Sequence, residues 1–163
     1  MMKLVITYGC GFIGANLAKK LAADVNKLSL ADNFALGNIG LIDAAVNVAI
    51  IDTYIRDTTK MREILEGKNA VMHLAACGFV VESGINRLES FSVNVEKTFS
   101  VLEVARHSEI RKLIFASTRV ALMGMRLYQL MNFRCLTRFA IRQSSSPRKK
   151  IVAILPMFMM EVP

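Results

Sequence analysis

Residues 4–14, Leu-Val-Ile-Thr-Tyr-Gly-Cys-Gly-Phe-Ile-Gly, decide how the rest of the chain is read. A short apolar run leads into Gly9, Gly11 and Gly14, spaced G-x-G-x-x-G, and then into a helical pattern. A strand, a tight turn and a helix N-terminus are written this way when the backbone must come close to a pyrophosphate. Phosphate needs exposed N–H groups and the positive end of a helix dipole, with no side chain in between. Glycines at this spacing also occur in ordinary loops, so the weight falls on what surrounds them.

Outward from that stretch, strand and helix patterns alternate. Lys3–Thr7 is a predicted strand, and Phe12–Asp24 a helix with Ile13, Leu17 and Leu21 on one face. Lys27–Ala31 is a second strand, residues 32–44 a polar turn with Gly37 and Gly40, and Val46–Ile51 a third strand. Thr58–Glu66 is a short helix that Gly67 ends. Ala70–Leu74 is a fourth strand, followed by a long helix, Leu88–His107, with apolar residues at Val95, Phe99, Leu102 and Ala105. Lys112–Ala116 is a fifth strand, Leu127–Arg142 a helix, Gln143–Arg148 a Ser/Pro loop and Lys150–Leu155 a sixth strand. Alternating elements of this length imply right-handed crossovers and an α/β fold, a doubly wound parallel sheet of the Rossmann-like kind.

Composition fits that architecture. A chain of 163 residues, 53% hydrophobic, holds one domain with a core of its own and matches a sheet buried on both faces. Residues 1–163 are therefore expected to form a single domain. Cys10, Cys77 and Cys135 are odd in number and widely spaced, which fits neither a disulfide framework nor a metal site and points to a reducing, cytoplasmic compartment. The apolar N-terminus contains three glycines and runs into Lys19 and Lys20, unlike a signal peptide. No apolar run reaches the ~20 residues of a membrane span. Charge is uneven: residues 1–109 carry a net charge of −1 and residues 110–163 a net charge of +9. A basic half of this kind suits a nucleotide, an anionic partner or plain solvent, and no recognised aromatic-interleaved basic motif marks it for nucleic acid.

In a doubly wound sheet the ligand lies outside the carboxyl ends of the strands. The candidate site residues all fall there. Asp32 ends strand two, 18 residues after Gly14, where an acid accepts hydrogen bonds from an adenosine ribose and repels a 2′-phosphate. Ala75 and Ala76 follow strand four and are small enough for a flat cofactor to lie against the backbone. Ser117 and Thr118 end strand five, with hydroxyls placed for a substrate or, alternatively, for capping a turn.

Five segments together resemble the N-terminal part of an extended short-chain dehydrogenase/reductase, the NAD-dependent epimerase/dehydratase family that acts mostly on nucleotide sugars. They are Thr7–Gly14, Asp32-Asn33, the run Val71 to Ala76, the helix segment Asn94 to Thr98, and the run Lys112 to Thr118. The resemblance implies NAD as cofactor, a nucleotide sugar as substrate and hydride transfer between them. It implies that Gly9, Gly11 and Gly14 shape the pyrophosphate loop, with Phe12 and Ile13 opening the helix. Asp32 would hold the adenosine ribose, and Asn33 beside it would also contact the cofactor. Ala75, Ala76, Asn94 and Ser117 would line the cofactor, Thr118 would bond the reacting substrate oxygen, and Tyr128 would be the base.

Four departures bear on function. The family base is the tyrosine of a Tyr-x-x-x-Lys pair, in which the lysine lowers the tyrosine pKa; here Asn132 stands in the lysine position, four residues after Tyr128. Tyr8 occupies the first glycine of the family loop. If that position needs φ > 0, a tyrosine is strained there by about 1–3 kcal/mol; if it needs only a small residue, the phenol must swing clear of the pyrophosphate. Tyr54 replaces an Asp expected near the adenine, with Asp57 three residues on. The chain stops at Pro163, where the family's C-terminal substrate domain would follow. Three functions remain open: an NAD-dependent epimerase/dehydratase, a non-catalytic dinucleotide-binding pseudoenzyme or binding module, and a basic protein binding nucleic acid or another anionic partner. Oligomeric state is left open by the sequence.

Overall fold

The computed structural model describes residues 2–77, 85–116 and 150–154. β1 (Lys3–Thr7) is buried at four of its five positions, as a strand must be when both sheet faces are covered. It is flanked by β2 (Lys27–Asp32) and β4 (Ala70–His73), with β3 (Ala49–Asp52) beyond β2 and β5 (Lys112–Ala116) and β6 (Lys150–Ile154) beyond β4. All pairs are parallel, in the order β3-β2-β1-β4-β5-β6. The order reverses at β1, between β2 and β4, and such a reversal opens a crevice at the strand carboxyl ends.

Side chains alternate between two cores. Val5, Ala31, Val71 and Leu113 face one layer with α2 (Thr58–Leu65) and with the second half of a longer helix. Leu4, Ile6, Leu28, Leu30, Met72 and Ile114 face the other, where Ala18 of α1 (Phe12–Leu21) packs. The longer helix has three parts: α3 (Arg87–Phe91), a π-helical segment (Ser92–Lys97) and α4 (Thr98–Arg106). The predicted doubly wound parallel sheet is thus the fold observed.

Several boundaries move. α1 stops at Leu21, three residues earlier than predicted, because the Leu21 carbonyl accepts from both Asp24 and Val25 N–H and closes a turn. β3 starts at Ala49 rather than Val46. Asp43 holds the preceding turn, its side chain accepting from Ala45 N–H at 3.0 Å and its carbonyl from Val46 N–H at 2.9 Å, and pairing with β2 begins only at Ser29–Ala49. The polar turn after β2 contains a short 3₁₀ turn, Ile39–Leu41, capped by Asn38. Gly67 ends α2 as expected, with φ +62°. On the long helix the buried line is Val93, Val101, Val104 and Ala105, while Val95 and Phe99 are exposed. The predicted helix at 127–142 and the loop at 143–148 lie outside the described residues. Among the described residues, no helix is long and apolar enough to cross a membrane.

Candidate functional site

The glycine turn sits at the crevice. Tyr8 follows β1 with φ +55°, in the left-handed region. That geometry explains why glycine suits this position: a side chain there meets the backbone, at an estimated cost of about 1–3 kcal/mol. Gly9 N–H bonds the Ala31 carbonyl at 3.3 Å and Gly11 N–H the Tyr8 carbonyl at 3.3 Å, which tightens the turn against β2. Gly14 lies in the first turn of α1 so close to the loop that a Cβ would stand 2.5 Å from the Tyr8 carbonyl oxygen. Gly11 is the residue before α1, extended at φ −76°, ψ 170°, and no side chain caps the helix. Phe12 and Ile13 open α1, and Phe12 is exposed.

Asp32 holds the other wall. Its carboxylate accepts from Cys10 N–H at 2.9 Å and from Phe34 N–H at 2.8 Å, and the residue is buried. One oxygen therefore fixes the glycine turn and the other fixes the loop after β2. Asn38 N–H returns to the Cys10 carbonyl at 2.9 Å, locking the two loops together. Burial, with the Asp32 charge second, pushes the Cys10 thiol up to about 11, so it stays protonated at neutral pH. The same two causes raise the Tyr8 phenol. Asn33 accepts from Ala35 N–H at 3.3 Å at the rim.

Between these walls lies a cavity of about 310 Å³. Asp32 and Asn33 line it from β2, Thr53 and Tyr54 from the end of β3, and Ala75, Ala76 and Cys77 from the end of β4. The predicted ribose acid and the predicted small residues thus share one pocket. Thr53 is 8% exposed, and its Oγ1 has no hydrogen-bond partner among the described residues. At its edge, Arg56 pairs with Glu89, itself a lining residue, and sits 4.9 Å above the Tyr54 ring, so the Tyr54 position is a small ion-pair and cation–π cluster. Asp57 does not reach the cavity; its carboxylate caps α2 by accepting from Lys60 N–H at 2.8 Å. A carboxylate just ahead of a helical run satisfies orphan N–H groups there.

The far wall is a closed hydrogen-bond network that the sequence did not announce. Thr7 Oγ1 accepts from Leu74 N–H at 3.1 Å and Ala75 N–H at 3.2 Å. With both lone pairs used, its proton goes to His73 Nδ1 at 2.8 Å. His73 Nε2 then carries the ring proton and donates to Thr98 Oγ1 at 3.0 Å. The ring is fully buried and stacked on Phe115 at 5.9 Å, and burial lowers its pKa to about 4, so it is neutral. Asn94, on the π-helical segment, accepts from Cys77 N–H at 2.8 Å and donates to the Cys77 carbonyl at 3.1 Å. Asn94 therefore fixes the chain beyond Ala76 and does not itself line the cavity. A short polar residue at the end of β1, opposite a histidine at the end of the neighbouring strand, is the available signal for this network. Ser117, Thr118, Tyr128 and Asn132 lie outside the described residues, as does most of the basic stretch.

Residues 5–132 match the family model described as the 3-beta hydroxysteroid dehydrogenase/isomerase family. The chain belongs to the NAD-dependent epimerase/dehydratase family. A UDP-N-acetyl-alpha-D-glucosaminuronate decarboxylase of Bacillus cytotoxicus is 32% identical over 117 residues, covering 71% of this chain and 36% of its own. The UDP-glucose 4-epimerase of Thermus thermophilus, solved in complex with NAD, is 28% identical with a TM-score of 0.65, over 72% of this chain and 38% of that one. The UDP-glucose 4-epimerase of Thermotoga maritima, solved with UDP-glucose, has a TM-score of 0.79 at 23% identity, over 93% of this chain and 54% of that one, and supports the fold alone. The chain spans about a third of the length of the curated relatives it matches.

Proposed function

We propose that this chain is the NAD-binding half of an epimerase/dehydratase-type protein whose relatives act on nucleotide sugars, and that by itself it binds the cofactor without turning substrate over. One observation carries the binding half: Asp32, the Thr53 hydroxyl, unpartnered among the described residues, and the small Ala75-Ala76 edge line one cavity beside an uncapped helix N-terminus. That set fits an adenosine, with the ribose at Asp32 and a base edge within reach of Thr53. The backbone at Gly11, Phe12, Ile13 and Gly14 is the pyrophosphate position of such a loop, open to it only when the Tyr8 ring over Gly11 turns aside. Asn33 at the rim and Ala75, Ala76 and Ser117 at the strand ends would flank the remainder. When bound, NAD supplies a hydride acceptor.

The loss of turnover rests on Asn132. Tyr128 as base needs a neighbouring positive charge to lower its pKa, and a neutral amide four residues on does not supply one. Thr118 would still orient a substrate oxygen. The chain is read as one domain, acting in a reducing cytoplasm with Cys10 and Cys77 as free thiols.

Calorimetric titration with NAD⁺ and NADP⁺, followed by assay with UDP-glucose, tests the reading. Binding of NAD⁺ in preference to NADP⁺, with no epimerisation of UDP-glucose, is the expected result. If neither dinucleotide binds, the cofactor reading fails; if UDP-glucose turns over, the pseudoenzyme reading fails.

A further inference from the structure

The second glycine of a dinucleotide loop lacks a side chain so that the backbone can approach the pyrophosphate. Here that space is taken. A Cβ at Gly11 would meet the Tyr8 ring, with Cε1 at 2.5 Å, Cζ at 2.7 Å and Cδ1 at 2.9 Å. Tyr8 is also one of the residues lining the cavity. Its left-handed backbone, φ +55°, turns the side chain toward the loop, and the turn is held on both sides by the Gly9–Ala31 and Gly11–Tyr8 hydrogen bonds. The phenol ring therefore stands between the adenosine-sized cavity and the N-terminus of α1.

We propose that Tyr8 is the specificity-determining residue of this nucleotide site: its ring, lying over Gly11, leaves the cavity open to an adenosine moiety and keeps a pyrophosphate off the glycine loop. The inference rests on the reading of the cavity as a nucleotide site and deepens it. It follows that the affinity of NAD⁺ comes from its adenosine half. The helix N-terminus and the loop N–H groups, which give a pyrophosphate charge-assisted hydrogen bonds, contribute only after the ring turns aside.

The experiment is calorimetric titration of adenosine and of NAD⁺ into the wild-type chain and into Tyr8→Gly, Tyr8→Asn and Tyr8→Phe. Glycine and asparagine both tolerate the left-handed backbone, so either variant is compatible with the fold, and the melting temperature checks it. The readout is the ratio of NAD⁺ affinity to adenosine affinity. Tyr8→Gly and Tyr8→Asn are expected to raise that ratio about tenfold, a change well within what one or two freed phosphate contacts supply. Tyr8→Phe, which keeps the ring, leaves the ratio as it is. The proposal is overturned if the ratio rises less than about threefold in Tyr8→Gly, or if Tyr8→Phe shifts it as much as Tyr8→Gly does. If adenosine binds none of the four proteins, the nucleotide reading of the cavity falls first and takes this proposal with it; intact adenosine binding with an unmoved ratio sinks the role of Tyr8 alone.

Discussion

The two walls of the crevice are built on opposite principles. On the β4 side, Thr7, His73 and Thr98 form one hydrogen-bonded chain, and Asn94 with the Cys77 backbone a second, in which the donors and acceptors match. On the β3 side, Thr53 Oγ1 and Arg56 Nε are buried without partners among the described residues, and in the turn after β1 Tyr8 holds an unfavourable backbone conformation. Buried polar groups are ordinarily satisfied, and exceptions call for a reason. The satisfied wall ties the ends of β1 and β4 and the long helix together. The unsatisfied wall leaves groups for something else to bind. The difference separates scaffold from site within a few residues of the same sheet edge.

Five measurements break or sharpen that contrast. The largest effect belongs to the β4 wall. His73 is neutral in the fold, with a pKa of about 4 set by burial, against 6.5 when exposed. Between those values the unfolded chain binds more protons, so stability rises with pH across the window and falls as pH drops from about 6.5 to about 4. The loss is about 3 kcal/mol, to be read from urea midpoints across that range. Replacing His73 with Leu removes this part of the acid limb and leaves the Thr7 proton and the Thr98 hydroxyl without a partner, for about 2–3 kcal/mol at pH 7. An unchanged acid limb in that variant would show that His73 is not the titrating group. Asn94→Ala strips both bonds from the Cys77 backbone and costs about 2 kcal/mol, with faster amide exchange at Cys77.

On the β3 wall the effects are smaller and one reverses sign. Asp32→Asn keeps the shape but leaves one acceptor oxygen for the two N–H groups of Cys10 and Phe34 and turns an NH2 donor toward the other, costing about 1–2 kcal/mol; the Cys10 thiol pKa drops with the lost charge, measurable by alkylation rate against pH. Tyr8→Gly relieves the left-handed tyrosine and stabilises the fold by about 1 kcal/mol, seen as a higher melting temperature. If Tyr8→Gly destabilises instead, the ring packing on Gly11 outweighs the strain and the two walls are less different than they look.

The fold was readable because its signals are local. The β5 strand matched residue for residue at Lys112–Ala116, since a continuous apolar run between charged and polar ends leaves one reading. β3 was misplaced because Val46 and Val48 look like strand residues, while the Asp43 turn and the pairing partner decide where a short strand begins. At the site, Asp32, Ala75 and Ala76 were legible from their offsets and do meet in one cavity. Asn94 was legible as a position near the site but not as a clamp on Cys77. Thr53 carried no signal at all, because an unsatisfied hydroxyl is defined by what fails to approach it.

By itself the sequence determined that a glycine turn joins a strand to a helix and that an acid follows at the next strand end. Backbone sterics and hydrophobic period act over a few residues, so a one-dimensional pattern suffices. Only the tertiary structure decided that Tyr8 lies left-handed over Gly11, that His73 is held neutral by its burial between two threonines, and that the buried Thr53 hydroxyl meets no partner among the described residues. Those outcomes depend on contacts between β1, β2, β3, β4 and the π-helical segment, where distance in space bears no relation to distance along the chain.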